Sequence, residues 1–413
     1  MKTVKYTVIA LSVLSYFNVF AQQAQIPNHQ PNIRVKNQDT LVVDSSKQRD
    51  LIDVLEKLIN KNTSPEKRAQ SGKTNISVIP YAGYSLSTGF IADISANVGF
   101  YTAADHHQNL SVITADLGYD SKIQKLFRTR SEIWGTENKY KFVTDLRYEI
   151  YPTDTYGLGT LTTLSTDNDI AYRYERVYET VLRKITSQYY IGVGYNLDHH
   201  FDITATGNAN GSVSDFVKYG EYPQSTSAGL NLTFLYDSRK NQLNPLGGTY
   251  ANMILRQNFT FFGSNADWQS VQFDFRKYFR PSPQSNNVLA FWGIANFTSG
   301  NAPYLDLPST GSDMYNNSGR GYAIGRYRGK NELYLEAEYR FGITRNGLLG
   351  AVLFANGESF SEFPSNRFEN IAPAAGTGIR IKINKHSDSN ICIDYGVGVG
   401  GSHGLFVNLG EVF

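Results

Sequence analysis

From Asn75 to its last residue the chain alternates apolar and polar side chains with a period of two, segment after segment. Phe90, Ala92, Ile94, Ala96, Val98 and Phe100 share one parity; Asp93, Ser95, Asn97 and Gly99 share the other. Tyr140, Phe142, Thr144, Leu146, Tyr148 and Ile150 oppose Lys141, Asp145, Arg147 and Glu149. Ala228, Leu230, Leu232, Phe234 and Tyr236 face away from Asn231, Thr233 and Asp237, and Ile391, Ile393, Tyr395, Val397 and Val399 from Asp394 and Gly396. A period of two is that of a strand with unlike faces. The segments run about ten to fourteen residues, against a usual five or six in globular sheets. Their polar parity is charged, and their apolar parity carries aromatics at its ends. A wet lumen and a lipid-facing wall with aromatic girdles account for both, and closure pairs every backbone group, as a bilayer demands. The expected fold is all-β: a 16-stranded antiparallel transmembrane β-barrel with a short N-terminal helical segment.

The sixteen strands are expected near 76–84, 89–101, 108–120, 122–135, 138–151, 171–184, 187–204, 224–237, 249–262, 266–280, 287–298, 331–343, 347–356, 373–384, 389–400 and 404–413. With the first strand running outward, the long connections 152–170, 205–223, 299–330 and 357–372 fall at the outer end. The inner connections are short except 238–248, which is the usual asymmetry of such barrels. Phe413 is expected to end the last strand directly.

Composition agrees. The chain has 28 Tyr and 24 Phe, both strand formers, with 36 Gly. Mean hydropathy is −0.36, as expected when half of each strand faces water. A net charge of +2 provides no basic field for nucleic acid. The single cysteine, Cys392, forms no internal disulfide and is placed on the lumen side of the fifteenth strand as an inert thiol.

The N-terminus reads as an export signal. Lys2 and Lys5 precede a nearly continuous apolar run from Thr7 to Phe20, and Val19 and Ala21 fit the −3 and −1 positions of a cleavage site. The domains are then a signal peptide at 1–21, a periplasmic tail at 22–72 and an outer-membrane barrel at 73–413. Within the tail, Leu51, Ile52, Val54, Leu55, Leu58 and Ile59 have helical spacing behind Asp44-Ser45-Ser46. An amphipathic helix is expected at about 44–62, free in solution or seated in the lumen, on a partner or on a membrane surface.

Few constellations suggest chemistry. His106-His107 and His199-His200 are adjacent pairs, and neighbours on a strand point to opposite faces, so neither pair chelates a metal. No G-x-S-x-G, H-E-x-x-H or P-loop pattern occurs. Arg173, Glu175, Glu179 and Arg183 are assigned to the lumen face of the sixth strand, with Arg276 and Arg280, as a charged and solvated wall. No enzyme activity, cofactor or metal is expected.

Several motifs carry a resemblance. Gly319-Arg320-Gly321-Tyr322, followed by Gly325-Arg326-Tyr327-Arg328-Gly329-Lys330-Asn331-Glu332, resembles the sixth extracellular loop of the BamA/TamA outer-membrane insertase family, also called the bacterial surface antigen family. Glu338-Tyr339-Arg340-Phe341 resembles the E-x-R ending of the strand that follows. Asp237-Ser238-Arg239 through Pro245-Leu246-Gly247-Gly248 resembles the family's D-x-R…P-x-x-G turn, and Leu409-Gly410-Glu411-Val412-Phe413 its last strand. The similarity spans roughly residues 75–413. It implies that Arg320, Gly321 and Tyr322 anchor a loop folded into the lumen. A guanidinium offers five donors in a rigid fork, and Glu336 and Glu338 share the lumen parity of their strand. Asn356 stands where the family often has Asp. Residues 22–72 are too short for a POTRA domain, which marks a barrel-only member.

The resemblance implies an outer-membrane protein of a Gram-negative bacterium that aids insertion or translocation of proteins or lipids. It would act through a weak seam between strands 76–84 and 404–413, with Gly83, Gly410 and Phe413 at that seam. Its partners would be outer-membrane lipid, client outer-membrane proteins and accessory periplasmic or outer-membrane proteins, with no nucleic acid. A solute channel and a structural barrel that organises partners are the alternatives.

Overall fold

The computed structural model describes residues 48–51, 53–54, 75–85, 89–103, 108–220, 223–282, 285–385 and 388–413. Sixteen strands follow one another in a single antiparallel sheet, each bonded to its chain neighbours. They are Asn75–Ser85 (β1), Gly89–Phe100 (β2), Ser111–Asp120 (β3), Lys125–Trp134 (β4), Tyr140–Thr155 (β5), Asn168–Thr186 (β6), Tyr189–Ala205 (β7) and Ser225–Asp237 (β8). The second half comprises Gly248–Asn258 (β9), Trp268–Phe279 (β10), Val288–Gly300 (β11), Asn331–Gly342 (β12), Leu349–Phe360 (β13), Ala372–Asn384 (β14), Ser389–Gly398 (β15) and His403–Leu409 (β16). The sheet curls until β1 and β16 lie side by side. Among the described residues the hydrogen-bonded order ends at β16 and does not return to β1.

Alternation sets the two faces. On β5, Lys141, Asp145, Arg147 and Glu149 are buried in the lumen, while Tyr140 and Tyr148 are exposed outside. The signal is misleading on β6. There Tyr172, Tyr174, Arg176, Tyr178, Thr180 and Leu182 line the lumen cavity, so Arg173, Glu175, Glu179 and Arg183 face outward, against expectation. The reason is chemical. Three tyrosines that resemble belt residues lie inside, where Tyr174 and Tyr178 donate their hydroxyls to Asp198, each at 2.5 Å. Arg176 stacks 4.3 Å from the Tyr178 ring. Aromatic identity alone does not tell a lipid-facing ring from one packed on a lumen cation. Arg276 does line the lumen, whereas Arg280 lies exposed beyond the end of β10.

The chain end also departs from expectation. β16 stops at Leu409. Gly410 adopts φ +92°, a conformation that only glycine takes freely. Residues 410–413 then turn into the barrel. Phe413 is 2% exposed and packs with Tyr278, Val288, Ala290, Trp292, Ile294 and Tyr334, with Leu246 of the β8–β9 turn against them. The Glu411 N–H donates to Leu243 of the same turn at 2.8 Å. Phe413 therefore leaves the seam and caps the inner end of the lumen.

The outer end is closed by side chains from its long connections. Leu158, Phe216, Ala302, Tyr304 and Leu307 gather with Ile170 and Trp268 into one buried cluster, joined by Tyr219 and Phe363. Residues 1–21, most of 22–72, and His106-His107 lie outside the described residues. Within the tail, Asp50 accepts the Asp53 N–H at 2.8 Å and Asp53 accepts the Asp50 N–H at 3.2 Å, a reciprocal cap at the start of a helical turn. Asp50 caps that turn, and Asp44-Ser45-Ser46 lie outside the described residues. That turn meets the β14–β15 connection through Lys385 and Asp53, 2.8 Å apart.

Candidate functional site: a loop clamped inside the barrel

The connection 301–330 folds back into the lumen and is braced by its own backbone. Arg328 bridges to Ser309 and Gly159, and its guanidinium donates to the carbonyls of Tyr304, Leu305 and Leu307 at 3.0–3.3 Å. Asp313 shapes the tip by accepting the N–H groups of Tyr315, Asn317 and Ser318 at 2.7–2.9 Å. Gly319 and Gly321, at φ +79° and +112°, then flank Arg320.

Arg320 is 1% exposed. One terminal nitrogen donates to both Glu336 and Glu338 and the other to Asp394. Beneath it lies the Phe354 ring, 3.8 Å from the guanidinium carbon. Glu336 and Glu338 come from alternate positions of β12, which places both on one face. Asp394 sits opposite Gly378 across the β14–β15 ladder. The charges continue around the wall. Arg380 takes Asp394 and Glu411, and Arg340 takes Glu338 and Glu411. Acids and guanidinium groups thus alternate, so each buried charge has an opposite neighbour.

The other anchor residues hold the loop's backbone. Asn356 donates to the Arg320 carbonyl at 2.8 Å, so its amide steadies the main chain and does not pair with the guanidinium. The Tyr322 hydroxyl donates to the Pro373 carbonyl at 2.6 Å and accepts the Val399 N–H at 3.0 Å. Close approach requires glycine on the facing strands. A Cβ at Gly396 would lie 2.7 Å from the Gly321 nitrogen, and one at Gly398 would lie 2.4 Å from the Tyr322 ring.

The loop also touches the opposite wall. Arg147 and Arg130 donate to the Met314 carbonyl at 2.8 and 3.2 Å. Asp306 accepts Ser227 Oγ at 2.5 Å and lies 3.6 Å from His200 Nδ1. A cavity of about 440 Å³ remains in the lumen. His199 points outward, stacked on Phe201, and His200 inward, stacked on Tyr174, as the strand period requires. Cys392 is buried on the lumen side, its thiol against the Gly410 carbonyl.

Asp306 makes the loop sensitive to pH. Burial, then the Asp198 charge, raises its carboxyl from 3.8 to about 7, while Ser227, Arg256 and Arg176 oppose the rise. Between about pH 4 and pH 7 the docked loop holds a proton that an unfolded chain releases, so docking is favoured at the acid end and weakens as pH rises. Protease cleavage within 301–330 is expected to speed up between about pH 6 and pH 8 in the native protein. Asp306→Asn should lessen that dependence.

The fold brings Glu336, Glu338, Asn356, Arg320, Gly321 and Tyr322 together. Asp394, Arg380, Glu411 and the Phe354 ring complete the clamp. Asp394 was visible as an inward-parity acid on β15, but nothing in the sequence paired it with Arg320.

The Omp85 superfamily domain matches residues 114–405. The chain belongs to that superfamily, as a barrel with no POTRA-like domain among the described residues. BamA from Haemophilus ducreyi lacking POTRA domains 1–3 is similar at TM-score 0.51 and 14% identity, over 82% of this chain and 70% of that one. CdiB from Acinetobacter baumannii is similar at TM-score 0.51 and 12% identity, over 82% and 60% of the two chains. CdiB from Escherichia coli is similar at TM-score 0.51 and 11% identity, over 83% and 67%. No curated protein matches the sequence.

Proposed function

We propose that this barrel inserts or translocates proteins, or lipids, at the outer membrane of a Gram-negative bacterium. Residues 1–21 would serve as its export signal and 22–72 as a periplasmic tail. The observation that carries the reading is the pairing of an unladdered β1–β16 junction with a clamped lumen loop. An edge strand with free donors and acceptors can template a client strand. The Gly83 position would ease opening there. The clamp runs from the loop through Asp394, Arg380 and Glu411 to the residues just beyond β16, so it couples the lumen to the seam's last strand. A solute pore fits less well, because aromatic and aliphatic side chains close the outer end and the chain's own last residues cap the inner one.

Depletion followed by outer-membrane proteomics is the test. Levels of other barrel proteins, or of surface lipid, should fall. If both stay at control levels while the depleted protein is gone, the insertase reading is wrong.

A further inference from the structure

Glu179 is placed where a carboxyl is costly. Its neighbours in sequence, Tyr178 and Thr180, line the lumen, so Glu179 points out of the barrel. The ladders put Thr144 of β5 opposite it on one side and Tyr195 of β7 on the other. The rows below and above on the same face are apolar: Phe142, Val181 and Val193, then Leu146, Val177 and Leu197. Its ladder partner Thr144 lies four residues from each of two exposed rings on β5, Tyr140 and Tyr148. At about 3.3 Å per residue and a tilt of about 40°, that is roughly 10 Å of height on either side. The carboxyl therefore falls midway between the two rings that bound the apolar band.

Its local partners are too few. Thr144 Oγ1 donates to Glu179 Oε2 at 2.7 Å; among the described residues Oε1 accepts no bond and no cation pairs with the carboxyl. The nearest cations on this face are Arg183, four residues or about 13 Å along the strand, and Arg173, which is paired with Asp202 at 3.3 Å. An ionisable side chain aimed at lipid marks a functional surface with a missing counterpart.

We propose that the outward face of β5–β7 is a docking surface within the membrane. Its partner is a second membrane-spanning protein that brings a lysine, arginine or histidine to the depth of Glu179. Charge complementarity selects that occupant. Lipid headgroups carry their charge at the interfaces and do not reach mid-depth. A second copy of this chain, related by a two-fold axis along the membrane normal, would set two Glu179 carboxyls at equal depth.

The test places a photo-crosslinking residue at Val181, beside Glu179, and a control at Phe273 on β10, in intact outer membranes. The expected result is a discrete adduct with another membrane protein at 181 and none at 273. Its yield should fall about tenfold in Glu179→Gln and in Glu179→Leu, since each removes the charge. The linked partner peptide should carry a lysine, arginine or histidine within its spanning segment. Heat-modifiable mobility on gels serves as the folding control, and Glu179→Leu should fold at least as well as the native chain. An adduct whose yield ignores Glu179, an adduct of twice this chain's mass, a partner without a basic residue in its span, or no protein adduct at all would each overturn the proposal.

Discussion

Arg320→Ala should be the most damaging single substitution in the barrel. The change leaves Glu336, Glu338 and Asp394 without the shared guanidinium that they surround at 1% exposure or less. Removing one member of a buried charge network costs about 3–5 kcal/mol, because the remaining charges stay buried and lose their counterion. Arg380 and Arg340 still hold Asp394 and Glu338 in part, which leaves Glu336 as the main orphan. The heat needed to unfold the barrel on a gel should drop accordingly, and protease should cut 301–330 in the folded fraction. Arg320→Lys keeps the charge but not the fork that spans three acids, so it should fall between the two. Adding Glu336→Gln to Arg320→Ala should recover part of the loss, since it removes the orphaned charge. An Arg320→Ala barrel that melts like the native protein would show that the loop is held by its backbone contacts alone.

Phe413→Ala is the second large effect. The ring sits 5.1 Å from Trp292 and 6.2 Å from Tyr278 between centroids, with the Arg340 guanidinium 5.2 Å away. Buried Phe→Ala changes cost about 3–5 kcal/mol when the site does not collapse, and a rigid strand wall collapses little. Part of the tail would remain, since Asn317 donates to the Val412 carbonyl at 2.7 Å and Arg380 holds Glu411 at 2.8 Å. The expected outcome is a lower unfolding midpoint together with access of a small thiol reagent to Cys392, which the native fold buries. Leu405→Ala, on the exposed face of β16, is the matched control and should change little. If Phe413→Ala left both readouts untouched, the tail would have no part in closing the inner end.

Much of the barrel was legible because a strand with one wet and one lipid face has to alternate, and its period needs no tertiary information. The order of the strands was legible in part, because the short connections force their neighbours to pair. The loop anchor at Arg320 was suggested by a resemblance, while parity alone placed Glu336 and Glu338 on the lumen face. What escaped depends on contacts across the lumen. Asp394 joins the clamp from 74 residues away, and no local pattern encodes that distance. β6 misled because tyrosine serves equally as a belt residue and as a hydroxyl donor to a buried acid. The last residues misled because a strand-like sequence ending in phenylalanine does not reveal that Gly410, at positive φ, turns the chain out of the sheet.

That turn has a practical side. Phe413 lies inside the barrel, so any affinity tag, fluorescent domain or epitope fused beyond it would begin its path between Trp292 and Arg340. Such a fusion would have to leave through the inner mouth or push the tail out of its pocket. Labels for purification or imaging are better inserted at the exposed tip of the β7–β8 connection, near Asn210-Gly211, where added residues start in solvent.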